Sequence, residues 1–121
     1  MITVLKDLPV NVVGFKAEGD VTKDDYDKVV FPEIKIQMSL YDKLNYVFWV
    51  DTPLKNFSAA AWISDAWLGL KEIAKWNRVS IISDDEGIRS FTDKASHLIP
   101  GEFRGFTTNE YETAVEWVSG T

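Results

Sequence analysis

Two hydroxyls and one run of carboxylates are the residues best placed for chemistry. Ser58 stands where the segment FSAAAWISDAW begins, and Thr52 sits in the preceding turn, VDTPLKNF. A serine at a helix start caps it by accepting a backbone N–H, here from Ala60 or Ala61. Phe57 and Trp62 occupy the two positions of a hydrophobic staple around it. A phosphate on such a serine would also be favoured by the helix N-terminus, and Lys55 lies close by in sequence. The run Asp84-Asp85-Glu86 could serve as a base or a metal ligand set. Its place at a helix start accounts for it as capping and dipole complementarity, and no second ligand motif accompanies it. The single histidine, His97, has no cysteine anywhere in the chain to activate, and the glycines are too scattered for a phosphate loop. The chain is therefore expected to be no enzyme and to need no metal or cofactor.

The tryptophans suggest binding. A helix is expected over 58–76, and at 100° per residue it divides into two arcs. Ser64, Asp65, Lys71, Glu72 and Lys75 share the polar one, while Trp62, Ile63, Ala66, Trp67, Leu70, Ile73 and Trp76 fill the other. The apolar arc spans about 180°, wider than the ~100° stripe that packing on one sheet requires. The surplus marks a second apolar contact, and the candidate ligand-binding residues are Leu54, Phe57, Trp62, Trp67 and Leu70, with Phe91 opposite.

Composition bounds the alternatives. At 121 residues the chain is expected to form one domain over 1–121 that buries enough surface to fold without disulfides. The absence of cysteine fits a reducing cytoplasm, and neither a secretory leader nor a membrane span of ~18 apolar residues is evident. A net charge of −6 opposes nucleic-acid binding. Residues 53–78 nevertheless carry four cations against two carboxylates, a composition suited to a peripheral membrane element.

The elements that must position these residues alternate. Ile2–Leu5 and Asn11–Glu18 read as an antiparallel strand pair. Thr22 caps a first helix bearing Asp24 and Asp25 in its opening turn, which Pro32 should kink but not end. The nearly continuous apolar run 44–50 reads as a strand covered on both faces. Helix 58–76, strand 78–83, helix 84–98 and strand 102–106 follow. A last helix is expected from Asn109, with Glu112 as its capping-box partner. This order predicts an α/β fold: a mixed five-stranded sheet, mostly parallel, with an antiparallel first edge strand and four helices. Ligands on such sheets sit beyond the carboxyl ends of the strands, where VDTPLKNF lies.

The segments VLKDLPVNVVGFKAEGDVTKDDY, FSAAAWISDAWLGLK, RVSIISDDEGIR and PGEFRGF, taken in order, resemble the SpoIIAA-like family of small bacterial proteins. That resemblance implies a fold related to STAS domains, the anti-sigma factor antagonists, and to the lipid-carrying CRAL-TRIO domains. The CRAL-TRIO likeness implies a non-catalytic protein that binds an apolar small molecule or a membrane surface through helix 58–76 and its preceding loop. The STAS likeness implies a regulatory module with a protein partner, switched by phosphorylation after the central strand. Here that turn reads Asp51-Thr52-Pro53 in place of Asp-x-Ser-Gly, and Ser58 arrives later as a helix cap. Ser58 and Thr52 are the candidate regulatory residues. Pairing of two chains through the apolar helix face is a further expectation.

Overall fold

In the computed structural model, which describes residues 1–56, 76–95 and 101–120, five strands form one sheet in the order β1-β2-β3-β4-β5. They are β1 (Ile2–Val4), β2 (Val12–Glu18), β3 (Leu44–Asp51), β4 (Trp76–Ile82) and β5 (Glu102–Phe106). β1 runs antiparallel to β2, and every later pair is parallel. The mixed sheet with its antiparallel edge is thus as the residue pattern predicts.

Three helical bodies are described, against the four expected. The first, α1, is composite: α-helical over Lys23–Asp25, π-helical over Tyr26–Val30 and α-helical again over Phe31–Leu40. Thr22 caps it in a reciprocal box with Asp25, whose carboxylate accepts the Thr22 backbone N–H at 2.8 Å. Pro32 does not end this helix. It lacks an N–H, and its ring would collide with the carbonyl of Lys28 in a regular helix. The wider π turn, closed by Phe31 N–H donating to Tyr26 O, immediately precedes it. The second body, α2, spans Glu86–Ala95, and the third, α3, spans Tyr111–Ser119.

Most of the expected helix 58–76 lies outside the described residues. Its last expected residue is corrected: Trp76 opens β4, opposite Leu44, with a register irregularity before Asn45. An aromatic residue suits a strand as well as a helix, and pairing with β3 decides the matter. The start of the last helix is corrected too. The box forms between Thr107 and Glu110, one short 3-10 turn before α3, where Asn109 and Glu112 were expected.

Period-two alternation divides the sheet into two packed faces. One buries Val13, Phe15, Ala17, Tyr46, Phe48 and Val79 beneath Tyr26, Val30 and Ile34 of α1 and Ile88 of α2. The other buries Val12, Val47, Ile82 and Phe106 beneath Ala114 and Val118 of α3. β3 is consequently buried on both faces through Phe48. The sheet also holds α3 by its carbonyls. Ser80 Oγ donates to Ala114 O at 2.9 Å, Arg78 Nη1 to Trp117 O at 2.7 Å and Asn11 Nδ2 to Ser119 O at 3.0 Å. The cation falls at the negative end of the helix dipole.

Candidate functional site

A cleft of about 250 Å³ opens at the carboxyl ends of β3 and β4, the place that sheet topology assigns to ligands. Val50, Asp51, Thr52 and Pro53 form one wall, Ser83, Asp84 and Asp85 the other, and Thr108 closes the end.

The Asp51 carboxylate faces Lys16 Nζ at 3.7 Å, and local hydrogen bonds fix the other polar groups. Thr52 Oγ1 donates to Gly19 O at 2.9 Å and accepts from Asn56 Nδ2 at 2.8 Å. Asn56 belongs to a single 3-10 turn, Leu54–Asn56, whose N–H reaches Pro53 O and whose carbonyl accepts from Val21 N–H at 2.9 Å. The hydroxyl of Thr52 therefore clasps the loop after β3 to the loop after β2. On the opposite wall, Ser83 Oγ accepts from Asp85 N–H at 3.0 Å, and Asp85 Oδ1 accepts from Gly87 N–H at 2.8 Å at the start of α2. Asp84 acts elsewhere: its Oδ1 accepts the N–H of Thr108 at 3.0 Å. Capping of its own helix was expected of the whole acidic run. Asp85 does this, whereas Asp84 caps the turn leading into α3.

The electrostatics follow from those bonds. The Thr108 N–H, with its hydroxyl and then the nearby Arg89 guanidinium, holds the Asp84 carboxyl below the usual carboxylate range. Hydrogen bonds from Thr107, with Arg104 and Arg89 nearby, act likewise on Glu110. Carboxylates so held are ionised and weakly basic, unlike a general base tuned toward neutral pH. Among the described residues no group of three or more histidines, aspartates or glutamates could hold a metal ion. The cleft's three aspartates make it acidic, beside the apolar surface of Val50 and Pro53.

Of the candidate residues that are described, Thr52 lines this cleft. Leu54 begins the 3-10 turn beyond it, and Phe91 lies within α2. Phe57, Ser58, Trp62, Trp67 and Leu70 lie outside the described residues, as does His97. Asp51, Ser83, Asp84, Asp85 and Thr108 supply the cleft's other described polar residues. Their signal in the sequence was positional: each closes a parallel strand or opens the element after one.

The SpoIIAA-like family model matches residues 12–119. The chain belongs to the SpoIIAA-like family. Among solved structures, this SpoIIAA-like domain is similar to an uncharacterized DUF3478-family protein with a SpoIIAA-like fold from Shewanella loihica PV-4. The two share 24% identity over 97% of this chain and 93% of the other, with a TM-score of 0.70. That likeness establishes the fold. No curated protein matches the chain. Among the described residues, no helix of the domain is long and apolar enough to cross a membrane.

Proposed function

We propose that this SpoIIAA-like domain is a non-catalytic regulatory module that binds a partner protein at the carboxyl end of its sheet, with Thr52 as the switch. The observation that carries this reading is the Thr52 clasp. Its hydroxyl hydrogen is given to Gly19 O, and its oxygen receives Asn56, so one side chain joins two loops at the mouth of the cleft. Phosphorylation would convert that oxygen to an ester, remove the hydrogen it donates, and add about −1.5 to −2 charge. The new charge would stand beside Asp51, Asp84 and Asp85, which line the same cleft. Loss of the donor and repulsion act in the same direction and release the loop.

The three aspartates that line the cleft support a protein surface as the occupant over a fatty ligand, because carboxylates desolvate at high cost against hydrocarbon. Intact-mass measurement with fragmentation, on protein from its native cell, tests the switch. A phosphate at Thr52 supports it. A chain wholly unmodified between Asp51 and Ser58 under all growth conditions counts against it.

A second reading keeps the apolar small molecule or membrane surface as the partner of the expected helix 58–76 and its preceding loop. It is favoured by the broad tryptophan-rich arc and the cationic balance of 53–78. Tryptophan emission titrated with fatty acid and with anionic vesicles separates the two, because only this reading predicts a shift.

A further inference from the structure

The chain between β2 and α1 is strapped to the turn after β3. Thr52 Oγ1 donates to Gly19 O at 2.9 Å, and the Val21 N–H donates to Asn56 O at 2.9 Å. Asn56 is itself held twice, its Nδ2 donating to Thr52 Oγ1 at 2.8 Å and its backbone N–H to Pro53 O at 3.0 Å. We infer that this strap is a conformational relay, in which the state of Thr52 Oγ1 sets how firmly the first turn of α1 is capped.

Backbone geometry makes the connection. Gly19 has a φ of 57°, where the absence of a Cβ lets the chain reverse, and the Thr52 hydroxyl holds the carbonyl at that reversal. Two residues on, Val21 is fully buried and bonded to Asn56. Next comes Thr22, whose φ of −119° and ψ of 168° give the extended backbone that an N-cap needs. Pinning Val21 therefore presets the cap. The Thr22 N–H donates to Asp25 Oδ2 at 2.8 Å, while the Asp25 N–H reaches Thr22 Oγ1 only at 3.4 Å. Met1 N also reaches the Asp20 carbonyl and, at 3.6 Å, the Asp25 carboxylate, so release at Thr52 slackens the turn without detaching it. Tyr26 and Val30, buried just beyond, hold the rest of α1 to the sheet, and the effect ends there.

The regulatory use of this relay rests on Thr52 being the switch: a phosphate, or a partner group that draws the hydroxyl from Gly19 and Asn56, would reach α1 through Val21. The coupling itself belongs to the unmodified chain. Coupling between two sites is reciprocal, so a weakened cap must also loosen the Asn56 turn.

Amide exchange on the unmodified protein tests this in both directions, with rates taken relative to Ala114 and Val118 of α3, which lie in the other core. Thr52→Val should speed exchange at Asp25 and Tyr26, as well as at Val21 and Asn56, by about five- to thirtyfold, the effect of losing one or two hydrogen bonds. Thr52→Ser should leave all four at the wild-type rate. Thr22→Ala, at a residue that does not line the cleft, should speed Val21 and Asn56 in return. Acceleration of Val21 and Asn56 alone by Thr52→Val overturns the inference, and so does an Asn56 amide indifferent to Thr22→Ala. If either variant folds poorly, wild-type exchange in sub-denaturing urea replaces it: the four amides should open as one unit, and separate openings overturn the relay. A chain never phosphorylated at Thr52 would remove the switch and leave these rates as predicted, so the two failures are distinct.

Discussion

Asp84 accepts the backbone N–H of Thr108 at 3.0 Å across 24 residues of chain. This bond joins the end of β4 to the turn that launches α3, so helix placement on one face depends on a carboxylate at the rim of the cleft. The carboxyl is held below its usual range, which makes the link sensitive to acid. A depressed folded value means a contribution fully present above the unfolded value of about 3.9 and lost as pH falls through the folded one. Asp84→Asn should therefore lower the melting temperature at neutral pH and flatten the acid limb of its pH profile. Thermal melts of both proteins through the carboxylate range check this, and parallel acid limbs would refute it.

Gly105 lies under α2. A Cβ added there would meet Arg89 Cβ at 3.0 Å and Arg89 Cα at 3.2 Å. The second of these atoms is backbone, so relief requires the helix to move. Gly105→Ala should cost about 1–3 kcal/mol, the usual range for overpacking, measured as a lower urea midpoint at unchanged slope.

Tyr26 and Tyr46 lie in the core, joined through Phe48 by ring contacts at 6.3 and 5.9 Å. Burial pushes both phenols upward, helped by Asp25 for Tyr26 and by Tyr26 itself for Tyr46. The folded state keeps these protons after the unfolded chain has begun to lose them near pH ~10, so stability is full below that pH and declines above it. Spectrophotometric titration should show ionisation of these two tyrosines coinciding with alkaline unfolding. Their ionisation in a still-folded protein would contradict this.

Much of the scaffold was legible from local pattern. The buried run 44–50, the alternation of Val13, Phe15 and Ala17, and the Thr22 cap all act through neighbours close in sequence. Pro32 was correctly read as tolerated, although its accommodation as a π segment depends on where α1 packs. What escaped was set by distant partners. Trp76 is a strand residue because Leu44 is its neighbour. Asp84 looks like a cap for α2 until the fold brings Thr108 to it. The cleft was anticipated by topology, through the turn after β3, but Ser83 and Thr108 carry no motif and join Thr52 only when strands and helix are assembled.

The clasp itself is measurable without a partner. Thr52→Val removes two hydrogen bonds at the surface and should cost about 1–2 kcal/mol, with faster amide exchange at Val21 and Asn56; Thr52→Ser should keep both.

The most direct test compares what wild-type, Thr52→Ser and Thr52→Glu proteins retain from a lysate of the native cell, each shown to be folded. The account predicts that one protein partner binds wild type and the serine variant and is lost with glutamate. Equal recovery of that partner by the glutamate variant would contradict it.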